Sequence, residues 1–297
     1  MRTTTRRTTP LVRLLPAIVL SLALSGSASA LDMVVGDVTV QNLSDYGFVA
    51  GGGGGNGVLT FDSGVTDELF QMFGYMGTAS GNVRIDAASF DISSAITQVG
   101  NTAVSQLTLS AAGAAALGLT TGALTIDYTF TLIDDTGVDD SDRLGWDIGI
   151  TNNTGAAIPV SIYTYVDLDL SGTFGDDIAV TDGSRMFVTD GVDPLAEFMW
   201  DVVDIAGADH FQVGDYPNVR DALDAMTSAQ DLADTGGSFG PSDFTGAYQF
   251  DRVVAAGGTE DIVLNTAAIP EPQTALLTGI GLVGLALYGR RNRARRS

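Results

Sequence analysis

Apolar and polar side chains alternate along much of the middle of this chain. In GALTIDYTFTLI, residues 122–133, every second side chain from Leu124 to Leu132 is apolar, and threonine or aspartate fills the positions between them. Successive side chains of a β-strand point to opposite faces, so a period of two predicts a half-buried strand. Further short strands are predicted at 144–150, 157–172, 184–190, 197–203, 247–254 and 260–266.

The segments between these runs have the composition of turns. TGVDDSD, TNNTGA, GVDP and AAGG are rich in glycine, asparagine, aspartate and proline, the residues that tight turns favour. Many short strands at this spacing predict an all-β fold, an antiparallel β-sandwich or jelly-roll-like domain. One short helix is predicted from Asn218, where Val219, Leu223 and Met226 form an apolar stripe.

The first thirty residues have the three parts of a secretory signal peptide. Arginines come first, the apolar run LLPAIVLSLAL follows, and SGSASA ends in the A-x-A pattern of Ala28 and Ala30. Cleavage is expected before Leu31, by signal peptidase after export through the Sec translocon. The Arg6-Arg7 pair leaves the twin-arginine route as the alternative.

A short apolar segment followed by arginines closes the chain. Residues 274–289 are apolar enough for a transmembrane helix, somewhat shorter than a typical bilayer span. The basic cluster after it, which stays on the cytoplasmic side by the positive-inside rule, consists of Arg290, Arg291, Arg293, Arg295 and Arg296. The signal-peptide arginines face the same way, so the region between the two ends is predicted to lie outside the membrane.

The triplet Pro270-Glu271-Pro272, the apolar helix and the basic end at 290–297 together resemble the PEP-CTERM sorting signal of Gram-negative bacteria. The resemblance covers residues 269–297 and implies that an exosortase recognises the triplet. It also implies release or re-anchoring at the cell surface, and an association with exopolysaccharide and biofilm matrix. A plain C-terminal membrane anchor is the alternative.

The region between the two ends, residues 31–268, is predicted to be one acidic β domain. Five arginines and no lysine stand against 35 acidic residues between 31 and 269, a formal net charge of −30. A field of this sign repels nucleic acid and attracts cations. The chain has no cysteine, so disulfides contribute nothing. GGGGGNG at 51–57 is predicted to be a flexible loop rather than a phosphate-binding loop, which would need a lysine and a following helix.

Oxygen-bearing side chains are concentrated in DLDLSGTFGDD. Asp167, Asp169 and Ser171 alternate before a glycine, and Asp176 and Asp177 follow. Several oxygen ligands on a tight turn suit calcium, although the glutamate that closes an EF-hand loop is missing. Calcium is therefore the candidate cofactor, with solvated turns as the alternative. A second acidic loop, IDDTGVDDSDR, is a weaker candidate.

Catalytic patterns are weak, and the chain is predicted not to be an enzyme. His210 is the only histidine, and no G-x-S-x-G elbow accompanies it. The leading hypothesis is an exported, non-enzymatic surface or matrix protein, with extracellular polysaccharide as a candidate partner. The alternatives are a calcium-dependent carbohydrate-binding or adhesion module and a secreted polysaccharide hydrolase.

Overall fold

A computed structural model describes residues 30–36, 38–47, 59–60, 69, 71–134, 143–170, 174–192, 197–202, 207–235 and 237–268. Within these ranges the chain forms seventeen strands and two helices. In chain order the strands are β1 Ala30–Val35, β2 Val38–Ser44, β3 Leu59–Thr60, β4 Gln71–Thr78, β5 Gly81–Arg84, β6 Phe90–Val99, β7 Thr102–Leu109, β8 Leu124–Ile133, β9 Arg143–Asn152, β10 Ile158–Asp167, β11 Asp177–Thr181, β12 Arg185–Asp190, β13 Glu197–Val202, β14 His210–Asp215, β15 Gly237–Ser242, β16 Phe244–Val254 and β17 Thr259–Ala268. The helices are α1 Ala111–Leu117 and α2 Asn218–Ala225.

The strands form three sheets. The largest has nine strands in the order β15-β11-β12-β13-β17-β9-β8-β7-β6, the second has five in the order β14-β16-β10-β4-β5, and the third contains β1, β2 and β3. Neighbouring strands are antiparallel throughout. The predicted all-β, antiparallel class is confirmed, and each predicted strand region contains a strand. The jelly-roll-like connections stay a prediction.

One hydrophobic core is shared by the nine-stranded and five-stranded sheets, as in a β-sandwich. Trp146 of β9, Phe130 of β8 and Tyr128 are fully buried, and their rings stack with centroids 5.8 to 6.2 Å apart. Ile162 of β10 and Phe250 of β16 belong to the same core from the five-stranded side. Burying each such side chain contributes roughly 1.5–3 kcal/mol, so this shared layer dominates the stability of the fold.

The five-stranded sheet is covered on its other face as well. α2 and the segment after it bury a second apolar cluster on that face, which includes Phe73 and Tyr165 from the sheet and Leu223 and Leu232 from the cover. All eight residues of β4 are buried as a result. The face opposite the shared core is therefore not available to solvent in this part of the sheet.

The described part of the β domain contains two short helices, where the sequence predicted one. α2 lies in the predicted segment. α1 was not predicted: Ser110 caps its N-terminus by accepting a hydrogen bond from the Gly113 N–H at 3.1 Å, and Gly118 ends it in the left-handed conformation at φ 67°. A capping serine, an alanine-rich run and a C-terminal glycine are an ordinary helix signal, and they could have identified α1.

Both predicted targeting segments fall outside the described residues, except that Ala30 is the first residue of β1. The glycine-rich loop at 51–57 and Ala28 also lie outside the described residues. Among the residues that the structure describes, no helix is long and apolar enough to cross a membrane. β17 ends at Ala268, two positions before Pro270.

Candidate cation site

Three aspartates meet where the chain passes between the two large sheets. Asp167 is the last residue of β10, where it lies opposite Gln71 of β4 and Thr245 of β16. Asp169 follows as the chain leaves β10, and Asp243 lies in the one-residue link between β15 and β16. One carboxylate oxygen from each of the three lies within 4.8 Å of the other two. This spacing lets the three side chains share a single cation.

Asp167 is buried and incompletely satisfied. It is 1% exposed, and its Oδ1 atom has no hydrogen-bond partner among the residues described. Its Oδ2 atom accepts one long hydrogen bond, 3.4 Å, from the Tyr165 hydroxyl. An ionised carboxylate in this position is costly unless a cation compensates it.

The electrostatics of the cluster favour a bound cation or a bound proton. Burial raises the pKa of Asp167 to about 8, and the negative charges of Asp169 and Asp243 act in the same direction. The pKa of Asp243 is also raised, by burial and by Asp215. A divalent cation would take the place of the proton and allow these groups to ionise together.

Arg220 is the cation that acts on Asp167, and it does so from a distance. Its positive charge lowers the pKa of Asp167. Its hydrogen bonds, however, go to the Tyr216 hydroxyl at 2.7 Å and to Asp221 at 3.0 and 3.2 Å. The guanidinium therefore leaves the oxygens of Asp167 open to another ligand.

Asp177, the first residue of β11, is a second buried carboxylate beside this group. It is 0% exposed, and burial raises its pKa to about 8. The backbone N–H of Phe244 lowers that pKa, while Asp169, Asp176 and Asp190 raise it. Neither oxygen of Asp177 has a hydrogen-bond partner that meets the usual geometry within the described part of the chain.

The predicted calcium ligands are thus distributed unevenly. Asp167 and Asp169 lie in the three-carboxylate group, whereas Asp177 lies outside that group and feels the charges of Asp169 and Asp176. Ser171 lies outside the described residues. Sequence reasoning missed Asp243, because it is remote in the chain and only the pairing of β15 and β16 with their sheets brings it to Asp169. No local spacing pattern signals it.

His210 belongs to a separate, more exposed group. Its Nδ1 atom lies 2.8 Å from Asp234 Oδ2, and its Nε2 atom lies 3.7 Å from Asp231 Oδ1. Asp251 is close enough to share an ion with His210 and Asp231. Both carboxylates of that trio are exposed, and the Asp231 side chain is 72% accessible, as in a surface ion-pair cluster.

The hydrogen bond of His210 leads to a carboxylate and not to a hydroxyl. Within the described residues, no serine, threonine or tyrosine hydroxyl is hydrogen-bonded to the imidazole. The hydrogen bond between a hydroxyl nucleophile and its base, which activates such a nucleophile, is therefore absent from this part of the chain. A cleft of about 350 Å³ lies beside this group and is lined in part by Ser161, Asp231 and Arg252.

Comparison with known proteins gives no family for this chain. It matches no protein-family model and no curated protein. Solved structures match over most of its length at low identity. A Synechocystis sp. PCC 6803 protein named Slr1438 is 9% identical with a TM-score of 0.47, over 82% of this chain and 97% of the other.

Two further matches are to much longer chains. A protein from the human microbiome, provisionally named a kojibiose phosphorylase, is 9% identical with a TM-score of 0.44, over 87% of this chain and 33% of its own. A polysaccharide lyase is 13% identical with a TM-score of 0.37, over 82% of this chain and 32% of its own. At these scores the matches assign no activity to this chain.

Proposed function

We propose that this chain is an exported, non-enzymatic surface or matrix protein whose β domain is stabilised by calcium. The proposal that a cation binds is supported by the buried Asp167 carboxylate. Its Oδ1 atom has no hydrogen-bond partner among the described residues, and the side chain lies in the group with Asp169 and Asp243. The alternative of a solvated turn fits this position poorly, because a solvated carboxylate would have water on both oxygens and Asp167 is 1% exposed.

The donor set supports calcium over softer metals. All three side chains offer carboxylate oxygens, which suit hard cations such as Ca²⁺ and Mg²⁺. Calcium accepts irregular arrangements of six to eight oxygens, whereas magnesium demands a near-ideal octahedron. A cluster assembled from a strand end, a loop and a link between strands fits the more tolerant ion.

The position of the cluster indicates what the cation would do. Asp167 ends a strand of the five-stranded sheet, and Asp243 joins β15 of the nine-stranded sheet to β16 of the five-stranded sheet. A cation held by both, and by Asp169, would connect the two sheets at the point where the chain crosses between them. We infer a structural role, in which calcium raises the stability of the exported domain.

Calcium-dependent unfolding tests this role. The full chain in mild detergent should unfold at a higher temperature in calcium than in EDTA, and calcium at 100 times its Kd should add about 2.7 kcal/mol. Asp167→Asn should fold and lose the calcium effect. Asp91→Asn removes the same charge at an exposed site on β6 and should keep it. A wild-type chain that ignores calcium would contradict the proposal.

The export part of the proposal is supported by the sequence of the two ends. Signal peptidase and the Sec translocon would act on residues 1–30, and an exosortase would act at Pro270-Glu271-Pro272. β17, the last strand in the described part of the chain, reaches Ala268, two positions before the triplet. Extracellular polysaccharide is the proposed environment of the mature domain.

A triplet substitution separates sorting from simple anchoring. Replacing Pro270, Glu271 and Pro272 by alanine leaves the apolar run and the arginines in place. Sorting by an exosortase predicts that the variant accumulates, uncut, in the inner membrane of the native host. A plain membrane anchor predicts the same location and size as the wild-type protein, and that outcome would contradict the sorting proposal.

A further inference from the structure

A second unsatisfied oxygen lies on the strand next to the buried Asp167 carboxylate. Gln71, the first residue of β4, is directly opposite Asp167, the last residue of β10, in the antiparallel register. It is 5% exposed, and its Oε1 atom has no hydrogen-bond partner within the residues described. A buried amide oxygen without a partner is rare in native proteins and calls for an explanation. A site made of three aspartates alone does not supply one.

Gln71 and Asp167 project from the same face of the five-stranded sheet. Side chains of directly opposite residues share a face, and their Cβ atoms are about 4.5–5.5 Å apart. The neighbouring pair on this face is Phe73 and Tyr165, which are also directly opposite each other and stack with ring centroids 4.7 Å apart in the cluster that α2 covers. Gln71 and Asp167 continue this row by one pair towards the strand ends.

The hydroxyl on the other side of Asp167 is already engaged. Thr245 of β16 is directly opposite Asp167, and its hydroxyl donates to the Gly214 carbonyl oxygen at 2.9 Å. An amide oxygen and an ionised carboxylate only accept hydrogen bonds, so Gln71 Oε1 and Asp167 Oδ1 cannot satisfy each other. Two buried acceptors on opposite residues need a positive charge that they share.

We propose that Gln71 is a ligand of the calcium ion, with its Oε1 atom bound beside one oxygen each from Asp167, Asp169 and Asp243. This inference rests on the proposed calcium function. A proton on Asp167 would join only two oxygens, whereas a cation joins the amide oxygen to all three carboxylates. Calcium takes amide and carbonyl oxygens together with carboxylates, and a neutral fourth ligand completes more of its shell without adding negative charge.

With Gln71 as a ligand, the ion would also hold the start of β4. β10 lies between β16 and β4 in the five-stranded sheet. Asp243 leads into β16, and Asp167 ends β10. One ion would therefore hold three adjacent strands of this sheet at one end, together with the crossing to β15.

The calcium affinity of the full chain in mild detergent tests this ligand. Gln71→Met keeps a buried side chain of similar length and removes the oxygen, so calcium should bind about tenfold more weakly in calorimetric titration. Gln71→Glu returns an oxygen to the same place and should bind calcium at least as tightly as the wild type. Gln98→Met changes an exposed glutamine of β6 and should leave the affinity unchanged. If Gln71→Met does not fold, Gln71→Asn, which draws the oxygen back by one methylene, asks the same question.

Europium(III) in place of calcium reports ligation directly. Its luminescence lifetimes in H₂O and D₂O count the water molecules bound to the ion, and water replaces a protein ligand that is lost. Gln71→Met should carry about one more water than the wild type, because calcium-type sites complete their shell with water. Gln98→Met should carry the same number as the wild type. A side chain that only packs near the ion would leave the count unchanged.

The outcomes separate this inference from the proposed function. A wild-type chain that binds no calcium overturns both. Calcium binding that is lost in Asp167→Asn and unchanged in Gln71→Met overturns the Gln71 ligand and leaves the proposed function intact. Weaker binding by Gln71→Met that brings no added water and is not restored by Gln71→Glu assigns Gln71 a packing role, and it also overturns the ligand.

Discussion

The hydroxyl of Tyr163 and the backbone of Gln230 exchange two hydrogen bonds. The hydroxyl donates to the Gln230 carbonyl oxygen at 2.9 Å and accepts from the Gln230 N–H at 3.0 Å. Tyr163 lies on β10, so this exchange fastens the segment after α2 to the outer face of the five-stranded sheet. Neighbouring bonds extend the attachment: the Leu232 N–H donates to Gln249 Oε1 at 2.8 Å, and the Ala229 N–H donates to the Thr78 carbonyl at 2.7 Å.

Removing the Tyr163 hydroxyl should weaken this attachment. Tyr163→Phe keeps the buried ring and leaves one donor and one acceptor of Gln230 without their partner. The expected loss in the free energy of unfolding is about 1–3 kcal/mol, measured by urea titration. Faster hydrogen exchange of the Gln230 amide should accompany it. Exchange at the wild-type rate would show that the other hydrogen bonds of the segment and its apolar contacts hold it without the Tyr163 hydroxyl.

Tyr128→Phe is the matched substitution with the opposite expectation. Tyr128 of β8 is also fully buried, but its hydroxyl has no hydrogen-bond partner in the described structure. Removing an unsatisfied buried hydroxyl costs no hydrogen bond and relieves a desolvated polar group. The free energy of unfolding should therefore stay the same or rise. A loss as large as that of Tyr163→Phe would mean that the Tyr128 hydroxyl has a partner after all.

Gly81 is expected to tolerate no side chain. It begins β5, and a Cβ atom built there would lie 1.9 Å from the carbonyl oxygen of Ala116 in α1. The helix or the strand would have to move, so Gly81→Ala should cost about 2–3 kcal/mol of stability in urea. Gly155 is the control, because nothing lies within 4 Å of its Cβ position. Gly155→Ala should leave stability unchanged or raise it by up to about 1 kcal/mol. Equal effects of the two substitutions would contradict close packing of α1 on β5.

The stability of the chain should depend on the protonation of His210. The hydrogen bond that His210 donates to Asp234 raises the pKa of His210, burial opposes this, and the charges of Asp234, Asp231 and Asp251 raise it further. A raised histidine pKa stabilises the fold fully below the unfolded value of about 6.5 and loses this contribution as pH rises through the folded value. The pKa of Asp234 is lowered, first by its hydrogen bond with His210, so its contribution is lost only in acid, as pH falls through that lowered value.

The measurement is direct because the chain has one histidine. Nuclear magnetic resonance should follow a single imidazole titrating above pH 6.5, and Asp234→Asn should lower its midpoint. The difference in unfolding free energy between the wild type and His210→Gln should be larger at pH 6 than at pH 9. A midpoint below 6.5 in the wild-type chain would rule out the effect.

Sequence pattern predicted the nine-stranded sheet better than the five-stranded one. In β8 the burial alternates strictly along all ten residues, because one face meets the core and the other meets solvent. That physical situation produces the period of two that the sequence displays. In β4 all eight residues are buried, because α2 and the segment after it cover the second face. A strand buried on both faces has no polar face to alternate with, so its pattern is uninformative.

The candidate site was predicted in the part that is local in sequence. Asp167 and Asp169 stand out because they alternate at a strand end before a turn. Asp243 does not, since it reaches the cluster only through the pairing of β15 and β16 with their sheets. A ligand set that is assembled by strand register across two sheets cannot be deduced from spacing along the chain.

The place of β17 within the nine-stranded sheet has a mechanical consequence. β17 is paired with a strand on each side up to its end. Ala267 is paired with β13 and with β9, and Ala268 is paired with β13. Suppose that whatever follows Ala268 is fixed to a membrane or a polymer while flow drags on the domain. The tension would then run along the axis of β17, at right angles to its ladder bonds, and would load many of them at once in shear. An edge strand would offer one ladder to resist such a pull, and this strand offers two.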